Sequence, residues 1–222
     1  MNVLFINAHQ QPTSPGGQLH HAAIRFFEKH QHKATIVDLY NMGFDAMPRD
    51  WDFKTKFSAS SAYSDEQAAA AKHDSFGEEI KSQIDALRKA DLVLIEFPLQ
   101  FHNTPAILKG WLDKVMAVGV AYDENHRYAQ GLLKGKQCLV VTTTDEPQGN
   151  YSASGVHKAS VSQHLYWLLH GTLAMSGMDV LKPTILHRAS LLSDGEVQEK
   201  IDAFQQALAS ALDSPSFVYK NS

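Results

Sequence analysis

Two adjacent carboxylates, Asp145 and Glu146, stand in the polar stretch TTTDEPQGNYSASG, between the apolar run QCLVV and a long helical segment. Paired acids invite an acid/base reading, yet productive pairs converge on a substrate from separate elements. Like charges side by side also disfavour ionisation unless both are solvated. A solvent-facing acidic turn is therefore the better reading of these two. Tyr151, later in the same loop, and His157, just beyond it, are stronger candidates for chemistry. One is a weak acid and the other titrates near neutrality, so both suit protonation of a reduced substrate.

Two further loops carry residue types that can bind or react. NAHQQPTSPGGQL is rich in Ser, Thr and Gly and runs straight into a helical pattern. Free N–H groups at a helix start, with the Thr13 and Ser14 hydroxyls, make a phosphate site; the alternative is a flexible, capped connection. The loop is not a Walker A sequence and lacks the Rossmann glycine spacing. PLQFHNTP places Gln100, Phe101 and His102 between an apolar run and a helix. An aromatic there can pack on a flat ligand; a packing Phe and a solvated His are the plainer reading. The 12 histidines have no metal-ligand spacing, and the lone Cys138 lies in an apolar run, so no metal site and no internal disulfide are expected.

The positions of these loops follow from the elements around them. VLFINA reads as a buried strand, and KATIVDLY, DLVLIEF, KQCLVVTT and MDVLKPTIL as the strands that follow. Between them run amphipathic segments: GGQLHHAAIRFFEKH, an alanine-rich helix from about Asp65 to Lys89, NTPAILKGWLDKV with Thr104 as cap, and His157 to Met175. A final helix carries Val197, Ile201, Phe204, Leu208 and Leu212 at intervals of three and four. Strands that are apolar throughout and alternate with helices predict an α/β fold whose parallel sheet is covered on both faces. Five such strands suit the doubly wound, flavodoxin-like order 2-1-3-4-5, with ligands outside the carboxyl ends of the strands. The 222 residues read as a single domain, residues 1–222, with an extended connection around 41–64. A net charge of −4 argues against nucleic acid or anionic membrane as the main partner. No apolar run approaches the roughly 18 residues of a membrane span. The N-terminus reads as a strand and not a leader, so a soluble, cytoplasmic protein is expected.

FPLQFHNTPAILKGWLDKV closely resembles the signature of the NAD(P)H:quinone oxidoreductase family. That family includes DT-diaphorase, the ancillary oxidoreductases of potassium-efflux systems and the modulator-of-drug-activity group. The register continues through Ala121–Tyr122, Thr143–Thr144, Tyr151, Gly155–His157 and GMDVLKP, and INAH with GGQL fits the family's first flavin loop. The resemblance implies bound FAD, NAD(P)H as co-substrate, and a homodimer with active sites at the subunit interface. It implies ping-pong, two-electron reduction of quinones or similar electrophiles.

Residue by residue, the resemblance places His9, Ser14, Gln18 and Leu19 around the pyrophosphate and ribityl chain. Pro98, Leu99, Gln100, Phe101 and His102 fall along the isoalloxazine, and Thr143, Thr144, Asp145 and Glu146 at its pyrimidine end. Tyr151 and His157 match the catalytic pair, and Tyr122 a substrate-pocket tyrosine. Two departures stand out: Phe101-His102 replaces a usual Trp-Phe, and Asp145-Glu146 stands where the family has two glycines. An FMN-dependent azo or quinone reductase and a regulatory flavoprotein subunit of a potassium-efflux system are the alternatives.

Overall fold

The computed structural model describes residues 1–55 and 61–221. Strands β1 (Asn2–Asn7), β2 (Lys33–Asp38), β3 (Leu92–Pro98), β4 (Gln137–Thr144), β5 (Asp179–Leu181), β6 (Thr184–His187) and β7 (Phe217–Tyr219) form one sheet. Its order is β2-β1-β3-β4-β5-β7, with β6 pairing β4 off that path. All pairs are parallel except β5 with β7. The expected order 2-1-3-4-5 is present, but the sheet has seven strands and not five. The run MDVLKPTIL is two strands: β5 pairs Gln137 and Cys138, and β6 pairs Val141 to Thr144. Pro183, which cannot donate to a ladder, lies at the break.

Side chains alternate across the sheet as the pleat requires. Val3, Phe5, Leu92, Leu94, Leu139 and Val141 pack on one face with α1 (Pro15–Lys29) and the C-terminal helix, whose core residues are Val197, Ile201, Phe204 and Leu208. Leu4, Ile6, Val93, Ile95 and Val140 pack on the other. There they meet α3 (Glu78–Lys89), through Ile80, Ile84 and Leu87, and α4 (Ala106–Val115), through Leu108, Trp111 and Val115.

The alanine-rich segment is not one helix. Helix α2 (Tyr63–His73) ends at Asp74 in the left-handed region (φ 53°), and α3 begins after Gly77. The interruption buries Phe76, which bridges to Phe53. Thr104 is not the cap of α4; that place is taken by Pro105, and the buried Thr104 hydroxyl has no partner among the described residues. The helix expected from His157 starts later and is irregular: α5 (Val161–His164), α6 (Tyr166–Leu168), then a π-helical turn, Leu169–Ala174. The helix α7 (Asp194–Asp213) follows its expected pattern and begins on a Ser193–Glu196 capping box.

The connection around 41–64 is anchored where it is described; its residues 56–60 lie outside the described part. Lys114 of α4 is fully buried and holds Asp52 at 2.8 Å, and its Nζ donates to the carbonyls of Asp45 and Met47 at 2.8 and 3.2 Å. Tyr63 completes the arrangement by donating to Asp52 at 2.7 Å. Among the described residues no helix is long and apolar enough to cross a membrane.

Candidate active site

Strands β1, β3 and β4 deliver their following loops to one edge of the sheet, at the point where strand order reverses. The first loop enters α1 through Ser14, whose hydroxyl accepts from the Gly17 amide at 3.2 Å and donates to the Gln11 carbonyl at 2.7 Å. No acid stands in the first turn of α1, so the positive end of its dipole faces outward uncompensated. Two glycines make the approach possible. A β-carbon on Gly16 would meet the His9 ring at 2.1 Å, and one on Gly17 the Pro12 carbonyl oxygen at 2.2 Å. His9 is consequently packed on bare backbone, and burial, with His20 close by, lowers its pKa to about 4. At neutral pH it offers one N–H donor and one acceptor nitrogen. Behind it His20 is hydrogen-bonded to Glu96, both of them buried.

The loop after β3 closes in a two-residue turn. Gln100 and Asn103 exchange backbone hydrogen bonds of 2.8 Å, and Phe101 and His102 sit between them at φ 47° and 61°. Such turns ordinarily carry Asn or Gly. Two residues with bulky side chains held there store strain of about 1–3 kcal/mol each, the kind found at ligand clamps. Phe101 is left fully exposed, while the His102 ring comes within 4.5 Å of the His157 ring, centroid to centroid.

The loop after β4 is shaped by its polar side chains. The Thr144 and Tyr151 hydroxyls lie 2.9 Å apart and buried, and the Glu146 amide donates to Thr144 at 3.1 Å. The two neighbouring carboxylates turn to different partners. Asp145 accepts from the Ser190 amide at 3.2 Å, and Glu146 from the Asn150 side chain at 2.6 Å. Both hold the loop in place, which is a structural use of residues that look like catalysts. The Tyr151 and His157 rings lie 4.5 Å apart. His187, at the end of β6, packs 5.7 Å from Tyr151; burial lowers its pKa, partly offset by a backbone hydrogen bond with Glu146.

Together the loops enclose a cavity of about 230 Å³, and His9, Ser14, Pro98, Gln100, Thr143 and Asp145 all line it. Gln18 lies just beyond, its amide donating to the Thr13 carbonyl at 3.1 Å. Leu19 and Leu99 are placed differently: they do not line the cavity, and their side chains pack on the hydrophobic clusters. Tyr122 stands apart, on a separate cavity of about 150 Å³ beside Met116 and Trp167. Two larger hollows flank α7, of about 460 and 540 Å³, but neither gathers loops from the strand ends. Tyr40 and Ser190 line the site, and His164 and His187 lie close to Tyr151, without having been singled out from the sequence. No spacing could have marked them, since each arrives from a different element.

A family model described as a flavodoxin-like fold matches residues 1–212. The human ribosyldihydronicotinamide dehydrogenase [quinone] is 35% identical over 209 residues, 93% of this chain and 90% of that protein. The guinea-pig (Cavia porcellus) NAD(P)H dehydrogenase [quinone] 1 is 31% identical over 187 residues, 83% of this chain and 68% of that protein. Among solved structures, a Klebsiella pneumoniae protein described as a candidate quinone reductase superposes with a TM-score of 0.91 at 28% identity. The match covers 98% of this chain and 87% of that one. The strand order, the loops at its reversal point and these likenesses along nearly the whole chain agree: the protein belongs to the NAD(P)H:quinone oxidoreductase family, on a flavodoxin-like fold.

Proposed function

We propose that the protein is a flavin-dependent NAD(P)H oxidoreductase that reduces quinones or related electrophiles by two electrons. The observation that carries this reading is the meeting of three strand-end loops on one cavity, with Tyr151, bonded to Thr144, and His157 on the loop that supplies Thr143 and Asp145 to it. The residues present suit a flat ligand with an anionic tail. The acid-free start of α1, the Gly16–Gly17 backbone, Ser14 and neutral His9 favour phosphate, and Pro98–Gln100 with Thr143–Asp145 offer two walls for a ring system.

A bound flavin supplies the hydride chemistry; the protein supplies orientation and electrostatics. His9, Ser14, Gln18 and Leu19 would hold the phosphates and the chain next to them. Pro98, Leu99, Gln100, Phe101 and His102 would line the ring system, and Thr143, Thr144, Asp145 and Glu146 would meet its pyrimidine end. Tyr151, fixed by Thr144, and His157 are the catalytic pair, balancing charge as it develops and holding the proton the acceptor needs. Tyr122 lies away from this cavity, and we assign it to the substrate pocket of a second copy in a homodimer.

FAD is the flavin we assign, and NADH or NADPH the donor. The assignment is checked by denaturing the yellow protein and separating the released flavin by chromatography. FAD near one per chain is expected. Release of FMN would replace the cofactor while leaving the reductase reading intact, and a colourless protein that takes up neither flavin would end it.

A further inference from the structure

Two more histidines stand beside the catalytic pair: His102, given above only a place along the ring system, and His164, which the scheme does not use. The rings of His102 and His164 are stacked, 4.4 Å apart at 18°, and His102 meets His157 edge-on at 4.5 Å. His157 and His164 are 6.4 Å apart, so the three rings run in sequence from Tyr151 to the first turn of α5. They come from the turn after β3, the loop after β4 and α5, three separate parts of the chain. His102 Nδ1, His157 Nε2 and His164 Nε2 are each buried, with no hydrogen-bond partner among the described residues. Polar atoms are seldom left so, and three in one ring cluster mark a place that solvent or a ligand oxygen completes.

The chemistry of the surroundings narrows what this cluster does. Among the described residues no carboxylate is ion-paired to any of the three, so nothing fixes a proton on one ring. The other titratable groups packed here are the Tyr151 phenol and, beyond it, His187. Among the described residues no group of His, Cys, Asp or Glu side chains is arranged to hold a metal ion. Burial, then His102, then His157 hold His164 below its ordinary pKa. Rings so close repel a second positive charge.

We propose that His102 and His164 join His157 in a single proton-holding array that passes its shared proton through His157 to the acceptor's oxygen. This rests on the reductase reading and adds positioning residues to it. The balance is that of NAD(P)H, H⁺ and quinone giving NAD(P)⁺ and hydroquinone. The hydride brings the acceptor two electrons and one hydrogen. One further proton leaves an imidazolium N–H for the acceptor's oxygen; an O–H bond forms as the C=O π bond breaks. The array returns to neutral rings and takes a proton back from solvent by way of His164.

The test is a pH titration of the histidine ring signals by NMR in the purified flavin-loaded protein, parent against His102→Phe. Phe keeps the ring volume and removes one like charge, so the His164 midpoint moves upward. Should Phe disturb the turn, His102→Asn, which tolerates a positive φ, gives the same upward shift. Alongside, kcat with menadione at alkaline pH falls about tenfold in His164→Gln, while its KM for the nicotinamide is unchanged. If the parent reduces menadione but His164 titrates alike in parent and variants, the array is overturned and the reductase reading stands. A parent that reduces no quinone defeats the reading, and the array's role with it.

Discussion

His9 is pressed against the backbone of Gly16, and its buried ring resists protonation until about pH 4, whereas an unfolded chain takes up the proton near its ordinary 6.5. Between those two values the unfolded state binds more protons, so His9 costs the fold stability as pH falls from 6.5 to 4, and none above 6.5. Urea unfolding at pH 7 and pH 4.5 should therefore show a smaller loss in His9→Gln than in the parent; equal losses would mean His9 is not held neutral. His157→Ala makes a kinetic prediction. Removing the ring 4.5 Å from Tyr151 should slow flavin reduction by NAD(P)H about 10²-fold, as expected for a lost acid/base group. Stopped-flow rates equal to the parent's would take His157 out of the mechanism. The acids Asp145 and Glu146 show the limit of reading single residues. Their adjacency was visible, but their use, one carboxylate on the Ser190 amide and the other on Asn150, depends on a turn 45 residues away and on the loop's own path.

Strands and helices were legible to the extent that their pattern is local. Apolar runs place β1, β3 and β4 within a residue or so, and the spacing of Val197, Ile201, Phe204 and Leu208 places α7. What the pattern hid is backbone forced by packing. The alanine-rich segment favours one helix throughout, yet burial of Phe76 against Phe53 breaks it at Asp74. The turn at Phe101-His102 carries no Gly, Asn or Asp to signal it, and Phe does not favour positive φ. Lys114 is a similar case: it reads as the polar face of a helix and is in fact buried beneath the connection it anchors. Lys114→Met removes the cation paired with Asp52 and leaves two carbonyls without their donor. It should cost about 3–5 kcal/mol by urea unfolding. Lys81→Met, which breaks partly exposed pairs with Asp74 and Asp85, should cost about 1 kcal/mol or less. Comparable losses in the two variants would show that the buried pair does not anchor the connection.

The sheet order places β1 and β3 side by side with their loops diverging, and the site follows from that crossing more than from any one motif. Three features are local to that edge: a strained turn at Phe101-His102, an acidic loop whose carboxylates accept from the Ser190 amide and the Asn150 side chain, and His102 and His164 beside Tyr151 and His157. The rest of the molecule holds three loops in place around one cavity. The central claim, two-electron transfer from a nicotinamide to a quinone at that cavity, is tested most directly by steady-state oxidation of NADH and NADPH by the flavin-loaded protein with menadione. The account predicts turnover with at least one nicotinamide and parallel double-reciprocal lines as menadione is varied, the pattern of a ping-pong reaction. A protein with full flavin occupancy that oxidises neither nicotinamide in the presence of menadione would contradict it.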